Sequence, residues 1–171
     1  MSQKKVVGTS AVRIDGRDKV TGAARYVDDL DFGPGLLHAA VATSPHAHAR
    51  IRKIDTSAAE RAPGVVRVVT GKDCPHKFGL YMQDRDIFPR DRVRFVGEQV
   101  AAVVAETPEA ALRAVRLIRV DYEPLPAVLS LGEALRKDAE LLHPDLGSYQ
   151  RVPWFFPRAG TNIAHWRKTR K

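Results

Sequence analysis

Apolar and polar positions along the chain predict a regular succession of strands and helices. Apolar runs without helical spacing are typical of strands. The segment at 49–55 sets Ile51 and Ile54 among basic residues, which indicates a half-exposed strand. In all, we predict strands at 36–43, 49–55, 65–70, 98–106 and 119–126.

Three segments predict helices. In the first, residues 55–64, Asp55, Thr56 or Ser57 can cap the helix and Pro63-Gly64 ends it. The second, residues 107–118, opens with a Thr-Pro-Glu sequence, in which threonine suits the N-cap and proline the first helical position. Its spacing predicts one apolar face made of Ala111, Leu112, Val115 and Ile118. The third helix is short and covers residues 130–137.

The order of these elements predicts the fold class. Two strand–helix–strand units follow one another, at residues 49–70 and 99–123. We therefore predict an α/β fold (α+β mixed), with both units packed on a mixed sheet. Between them, residues 71–98 lack periodicity and predict a long loop with one short strand at 92–97. Near the N-terminus, Asp15-Gly16 and Thr21-Gly22 predict two tight turns.

The positive charge of the chain is concentrated at its C-terminal end. The formal net charge is +8, but residues 1–150 carry 22 basic and 20 acidic side chains. Residues 151–171 hold six basic side chains and no acidic one. We predict a domain at residues 1–150, followed by a basic linker or tail at 151–171. This tail is either a solvated linker or an independent module that binds nucleic acid or an acidic surface.

Composition excludes several classes of protein. The single cysteine, Cys74, excludes an internal disulfide and an iron–sulfur cluster held by this chain alone. No segment approaches the roughly 20 apolar residues that cross a bilayer. The N-terminal sequence lacks the apolar run of a secretory signal, so we expect a cytoplasmic location.

Two pairs of side chains are candidates for chemistry. His46 and His48 are two positions apart and would share a face on a strand, as in some metal sites. However, no third candidate ligand follows at a spacing typical of metal sites. Cys74 and His76 resemble an activated thiol, but no orienting Asn or Asp accompanies them. The expected roles are therefore structural for the histidines and inert for the thiol.

Two further features have ordinary explanations. The Asp28-Asp29-Leu30-Asp31 run resembles the start of a calcium loop but lacks its glycine and its final glutamate, so we predict a solvated turn. Glu98 would be a general base if it were buried, and is otherwise a polar strand end. Gly97 alone does not make a phosphate-binding loop. We predict no catalytic, cofactor-binding or metal-ligating residue in this chain.

Four segments carry a resemblance to a known family. They are VGTSAVRIDGRDKVTGAARYVDDL, LLHAAVATSPHAHARIRKIDTSAAERAPGVVRVVTGKD, DRVRFVGEQVAAVVAETPEAALRAVRLIRVDYEPLPAV and GTNIAHWRKTRK. In number, order and spacing they resemble the N-terminal α/β hammerhead domain of the molybdenum-binding large subunit in the xanthine dehydrogenase, aldehyde oxidase and carbon monoxide dehydrogenase family. The resemblance extends from about Val7 to Lys171.

The resemblance implies a larger enzyme with this domain as a non-catalytic, interface-forming part. Family members hydroxylate an aldehyde, a purine or another N-heterocycle with oxygen from water, or oxidise carbon monoxide. The resemblance also implies a molybdopterin cofactor in the remainder of the large subunit, a partner subunit with 2Fe-2S clusters and, in some members, a flavin (FAD) subunit. The family's glycine-rich cofactor stretch and catalytic glutamate lie downstream of this segment, so Glu98 is not their counterpart. The aromatic residues 154–156 then fit a surface that a neighbouring domain covers.

Overall fold

A computed structural model describes residue 8 and residues 10–169, and its chain contacts divide into two units, residues 1–36 and 37–171. In the first unit, helix α1 spans Gly16–Thr21 and a 3₁₀ turn spans Val27–Asp29. Turns lie at residues 14–15 and at Gly22, whose φ is 74°, close to the two predicted glycine turns, and the residues between them form one helix. Lys19 lies one helical turn after Asp15 and pairs with its carboxylate at 2.5 Å, which favours the helix.

The second unit contains eight strands and three helices among its described residues. Its helices are α2 (Ser57–Glu60), α3 (Pro108–Val115) and α4 (Leu131–Ala134). Its strands are β1 (His38–Thr43), β2 (Ala49–Asp55), β3 (Val65–Thr70), β4 (Lys77–Phe78), β5 (Arg85–Asp86), β6 (Arg92–Val93), β7 (Gln99–Ala105) and β8 (Arg119–Pro124). The predicted order of the long elements is confirmed.

The two strand–helix–strand units interlock. Strand β2 of the first unit pairs with β8 of the second, and β3 of the first pairs with β7 of the second. Two three-stranded sheets result, in the orders β1-β7-β3 and β6-β2-β8, with β4 and β5 as a separate pair. The α/β class is confirmed. In place of one mixed sheet there are antiparallel sheets, because each helical connection carries the chain from one sheet to the other.

Strand β7 is the centre of the packing. Val100 on one face packs with Ala49, Ile51 and Val93 of the second sheet. Val103 on the other face packs with residues of α2, β3 and α3. Burial on both faces explains why this segment is an unbroken apolar run rather than an alternating one.

Helix α3 begins as predicted but buries a different face. The side-chain oxygen of Thr107 accepts the backbone N–H of Ala110 at 3.1 Å, so the predicted N-cap is confirmed. The helix packs through Ala110, Ala111 and Ala114, whereas Leu112 is 54% exposed and its predicted burial is wrong. Small side chains allow the helix backbone to approach the sheet closely, which leaves the larger leucine outside.

The C-terminal segment pairs with the central loop. The N–H of Gln83 donates to the carbonyl of Gln150 at 2.8 Å, and the N–H of Val152 donates to the carbonyl of Tyr81 at 3.0 Å. Residues 150–152 therefore run antiparallel to residues 81–83, with a bridge between Met82 and Arg151. Among the described helices, none is long and apolar enough to cross a membrane.

Candidate functional site: a cleft and an aromatic face on the central loop

A cleft of about 500 Å³ opens beside the loop that joins the two strand–helix–strand units. Its walls come from three separate stretches of the chain, namely Phe78 with residues 84–87, residues 94–99, and the pair Leu142-His143. The Arg94 guanidinium links two walls, because its Nε donates to the carbonyl of Leu142 at 2.9 Å. Contacts between segments that are distant in the sequence therefore form this cleft. It contains Glu98, the candidate general base from the sequence.

Glu98 lies in the turn that leads into β7. One oxygen of its carboxylate accepts the backbone N–H of Arg94. The turn is tied to Ser44, whose carbonyl accepts the N–H of Gly97 at 2.8 Å and whose N–H donates to the carbonyl of Glu98 at 2.8 Å. Burial raises the pKa of Glu98 above its ordinary value, because desolvation disfavours the charged carboxylate. The Glu98 carboxyl is therefore hydrogen-bonded within its own turn and stabilises that turn.

His143 is a member of the cleft that sequence reasoning missed. Its Nδ1 lies 3.3 Å from the hydroxyl of Tyr149, and the two rings meet edge to face at 5.8 Å. Burial lowers the pKa of His143, with the Arg94 charge acting in the same direction. The folded protein therefore favours the neutral ring at neutral pH. A lone histidine before a proline carries no sequence signal for this placement.

The other carboxylate of note in the cleft is Asp86, whose side chain is 4% exposed. Lys77 holds both of its oxygens at 3.0 Å across the β4–β5 pair. A buried carboxylate requires such a partner, because an unpaired charge is costly to desolvate. Asp86 is therefore engaged in stabilising the loop.

The two histidines considered as metal ligands contact different neighbours. His46 packs edge to face on Tyr122 at 5.0 Å, while His48 is buried with its Nδ1 2.7 Å from the carbonyl of Pro126. Within residues 10–169 there is no group of three or more His, Cys, Asp or Glu side chains that could hold a metal ion. Cys74 is a partly exposed free thiol.

The acidic run at 28–31 forms local caps. The Asp29 carboxylate accepts the backbone N–H of Tyr26 at 2.9 Å, and that of Asp31 accepts the N–H of Gly33 at 2.8 Å. Both residues are exposed, as expected for a solvated turn. Their oxygens satisfy the backbone of their own turns.

Beside the cleft, the loop and the C-terminal segment present a set of exposed apolar side chains, here called the aromatic face. The ring of Tyr81 contacts Trp154 edge to face at 5.2 Å and stacks on Phe155 at 6.2 Å. Side chains of this face are between 48% and 83% exposed. The aromatic face consists of Phe78, Leu80, Tyr81, Trp154 and Phe156.

A tight turn supports the aromatic face. A Cβ atom built on Gly79 would lie 1.9 Å from the carbonyl oxygen of Met82, so only glycine fits there. Leu80 and Tyr81 stand at the tip of this turn. Beyond the face, the guanidinium of Arg158 lies 4.3 Å from the ring centre of Trp166. Of the basic tail, Arg170 and Lys171 lie outside the described residues, and the nucleic-acid hypothesis stays a prediction.

Comparison with known proteins identifies relatives of this chain. The family described as "Aldehyde oxidase and xanthine dehydrogenase, a/b hammerhead domain" matches residues 21–126. A probable xanthine dehydrogenase subunit of Bacillus subtilis (strain 168) is 46% identical over 138 residues, which cover 80% of this chain and 18% of that protein. The nicotinate dehydrogenase large molybdopterin subunit of Eubacterium barkeri is 34% identical over 148 residues, covering 85% of this chain and 35% of the relative.

Solved structures show the same relationship in three dimensions. Quinoline 2-oxidoreductase from Pseudomonas putida 86 superimposes with a TM-score of 0.70 at 40% identity, over 80% of this chain and 19% of that one. The Cu,Mo-CO dehydrogenase superimposes with a TM-score of 0.74 at 37% identity, over 81% of this chain and 18% of that one. This chain thus spans about a fifth of the length of these structures. The chain belongs to the aldehyde oxidase and xanthine dehydrogenase family of molybdenum hydroxylases and contains its α/β hammerhead domain.

Proposed function

We propose that this chain supplies a non-catalytic, interface-forming domain to a molybdenum hydroxylase. The observation that carries this proposal is the aromatic face, which leaves five large apolar side chains exposed on a tight turn and on the C-terminal segment beside it. Exposed apolar patches of this kind mark surfaces that another polypeptide covers. The relatives supply a candidate, because the domain makes up only 18% of the Bacillus protein.

The described residues do not fit the molybdenum cofactor themselves. A phosphate-bearing pterin is commonly held by free backbone N–H groups at a helix N-terminus or in a glycine-rich loop. At the start of α3, Thr107 already accepts the N–H of Ala110, and Pro108 has no N–H to offer. The one cysteine of the chain cannot ligate an iron–sulfur cluster alone. Both groups therefore belong to other parts of the proposed enzyme.

In this proposal the partners are the molybdopterin-binding remainder of the large subunit, an iron–sulfur subunit and, where present, a flavin subunit. The loop at residues 72–92 forms one wall of the passage by which substrate reaches the cofactor. The reaction itself is then the two-electron hydroxylation carried out by the remainder of the enzyme.

Substitutions in the aromatic face test this proposal. We expect Tyr81→Ala with Trp154→Ala to weaken retention of the molybdenum-containing partner by about tenfold or more, because buried aromatic side chains dominate interface energies. The measurement is the amount of molybdenum and of partner protein that co-purify with the tagged full chain. Leu112→Ala, on the exposed side of α3, is the matched control and is expected to leave retention unchanged. Equal retention by the aromatic variant and the control would refute the proposed interface.

A further inference from the structure

A second cleft, of about 530 Å³, lies between β2 and the end of β3 and is here called the basic groove. Its floor is apolar, because Ile51 and Val68 are each 9% exposed and Pro89 is fully buried. Basic side chains line it on several sides. They are Arg52 and Lys53 from β2, Lys72 from the turn after β3, and Arg90.

The acidic residues of the groove are already engaged by neighbouring groups of the chain. The Asp73 carboxylate accepts the N–H of Thr70 at 2.9 Å and pairs with Arg67 at 3.2 Å. Glu60 accepts the hydroxyl hydrogen of Thr56 at 2.6 Å. Asp73 is therefore paired with a cation, whereas Glu60 keeps its negative charge. The lining as a whole has four basic and two acidic side chains.

The basic side chains are less fully compensated. Within the described part of the chain, neither Lys53 nor Lys72 has a carboxylate within ion-pair distance. Arg90 lies 3.9 Å from Asp86, a carboxylate that Lys77 holds at 3.0 Å on both oxygens. Arg52 has a close carboxylate partner, Glu123 at 2.6 Å, which it shares with Arg50 at 3.6 Å. The groove thus offers excess positive charge above an apolar floor.

The shape of the groove is held by a close backbone contact. A Cβ atom built on Gly71 would lie 2.6 Å from the carbonyl oxygen of Phe88 and 3.1 Å from that of Pro89. The turn that carries Lys72 therefore lies directly against the segment that carries Arg90. A preorganised pair of walls lowers the entropic cost of binding.

We propose that the basic groove binds an acidic peptide segment. The peptide has an apolar side chain between two carboxylates, and this side chain enters the groove. The charges select the carboxylates, and the buried floor of Ile51, Val68 and Pro89 receives an aliphatic side chain. A nucleic acid fits less well, because no aromatic side chain lines the groove to stack on a base. The inference rests on the proposed function, since the acidic segment is expected from another polypeptide of the same hydroxylase.

The test uses the full chain and a short fluorescein-labelled peptide with one leucine placed between glutamates. Lys53→Glu combined with Lys72→Glu is expected to weaken peptide binding by about tenfold or more in fluorescence polarisation. The control, Arg113→Glu in α3 with Arg116→Glu at its C-cap, makes the same change of net charge and is expected to leave binding nearly unchanged. Raising the salt concentration should weaken binding to the wild-type chain.

Three outcomes would overturn the inference. The first is an equal loss of binding in the control, which would show that net charge alone attracts the peptide. The second is equal binding of a peptide with serine in place of leucine, which would remove the role of the apolar floor. The third is displacement of the peptide by a single-stranded oligonucleotide at lower concentration, which would assign the groove to nucleic acid. The proposed function fails separately, if the wild-type chain co-purifies with no molybdenum-containing polypeptide.

Discussion

Asn162 is predicted to hold the C-terminal segment on the domain. Its Oδ1 accepts the backbone N–H of Leu142 at 2.9 Å, and its Nδ2 donates to the carbonyls of Glu140 at 2.9 Å and Ala134 at 3.3 Å. Each such bond contributes about 0.5 to 1.5 kcal/mol, and the longest of the three should contribute least. We therefore expect Asn162→Ala to lower the free energy of unfolding by about 2 to 3 kcal/mol.

The assay is urea unfolding followed by tryptophan fluorescence, because both tryptophans, Trp154 and Trp166, lie in this segment. With a slope of about 2 kcal/mol per molar urea, the expected loss moves the midpoint by about 1 to 1.5 M. Gln150→Ala is the matched control. Gln150 is exposed, and its backbone carbonyl, which accepts the N–H of Gln83, is kept in the variant, so we expect the midpoint to stay nearly unchanged.

A second variant separates the donors of Asn162 from its acceptor. Asn162→Asp keeps an oxygen for the N–H of Leu142 but turns a carboxylate oxygen toward two carbonyls. It should therefore destabilise the protein at neutral pH and recover part of the loss on acidification, when the protonated carboxyl can donate again. A midpoint for Asn162→Ala equal to that of Gln150→Ala would refute the reasoning.

Two further predictions concern the central loop and the cleft. Gly79→Ala should lower the free energy of unfolding by more than about 2 kcal/mol, because its Cβ would meet the carbonyl of Met82. Gly132→Ala, inside α4 with no atom within 4 Å of the added Cβ, should instead raise it by up to about 1 kcal/mol. Thermal melts that rank these two variants the other way would contradict the description of the turn. Burial lowers the pKa of His143 in the folded protein below the value of about 6.5 that it has in the unfolded chain. The unfolded chain therefore takes up the proton first, and the protein loses stability as the pH falls below about 6.5. His143→Gln should therefore lose less stability than the wild type between about pH 7 and pH 5, and equal losses in urea midpoints would count against this assignment.

Local features of the fold could be predicted from the sequence because their causes are local. The threonine at 107 caps the helix that follows it, and proline at 108 occupies the first helical position. The unbroken apolar run at 100–105 predicts a buried strand, and β7 is buried on both faces. The exposed Leu112 shows the limit of such patterns. Helix α3 packs on the sheet through its alanines, which allow a close approach, and this contact leaves Leu112 outside.

Features built from distant segments could not be predicted. The pairing of β3 with β7 and of β2 with β8 decides that there are two sheets, and no local pattern specifies those partners. The cleft combines residues near 85, 98 and 143. The bonds of Asn162 reach backbone groups 20 to 28 positions away, so this single asparagine carried no signal in the sequence. Trp154 and Phe156 are exposed, as expected for the aromatic residues at 154–156, whereas Phe155 packs against the buried cluster of Met82, Leu146 and Tyr149.

Our main proposal is that this chain forms one part of a molybdenum hydroxylase and that the residues that carry out its chemistry lie outside positions 1–171. The most direct measurement is to purify the chain with its companions from the native source, determine the masses of all subunits, and quantify molybdenum and iron per chain. We expect larger partners together with molybdenum and iron in stoichiometric amounts. A folded chain that purifies alone and free of both metals would contradict it.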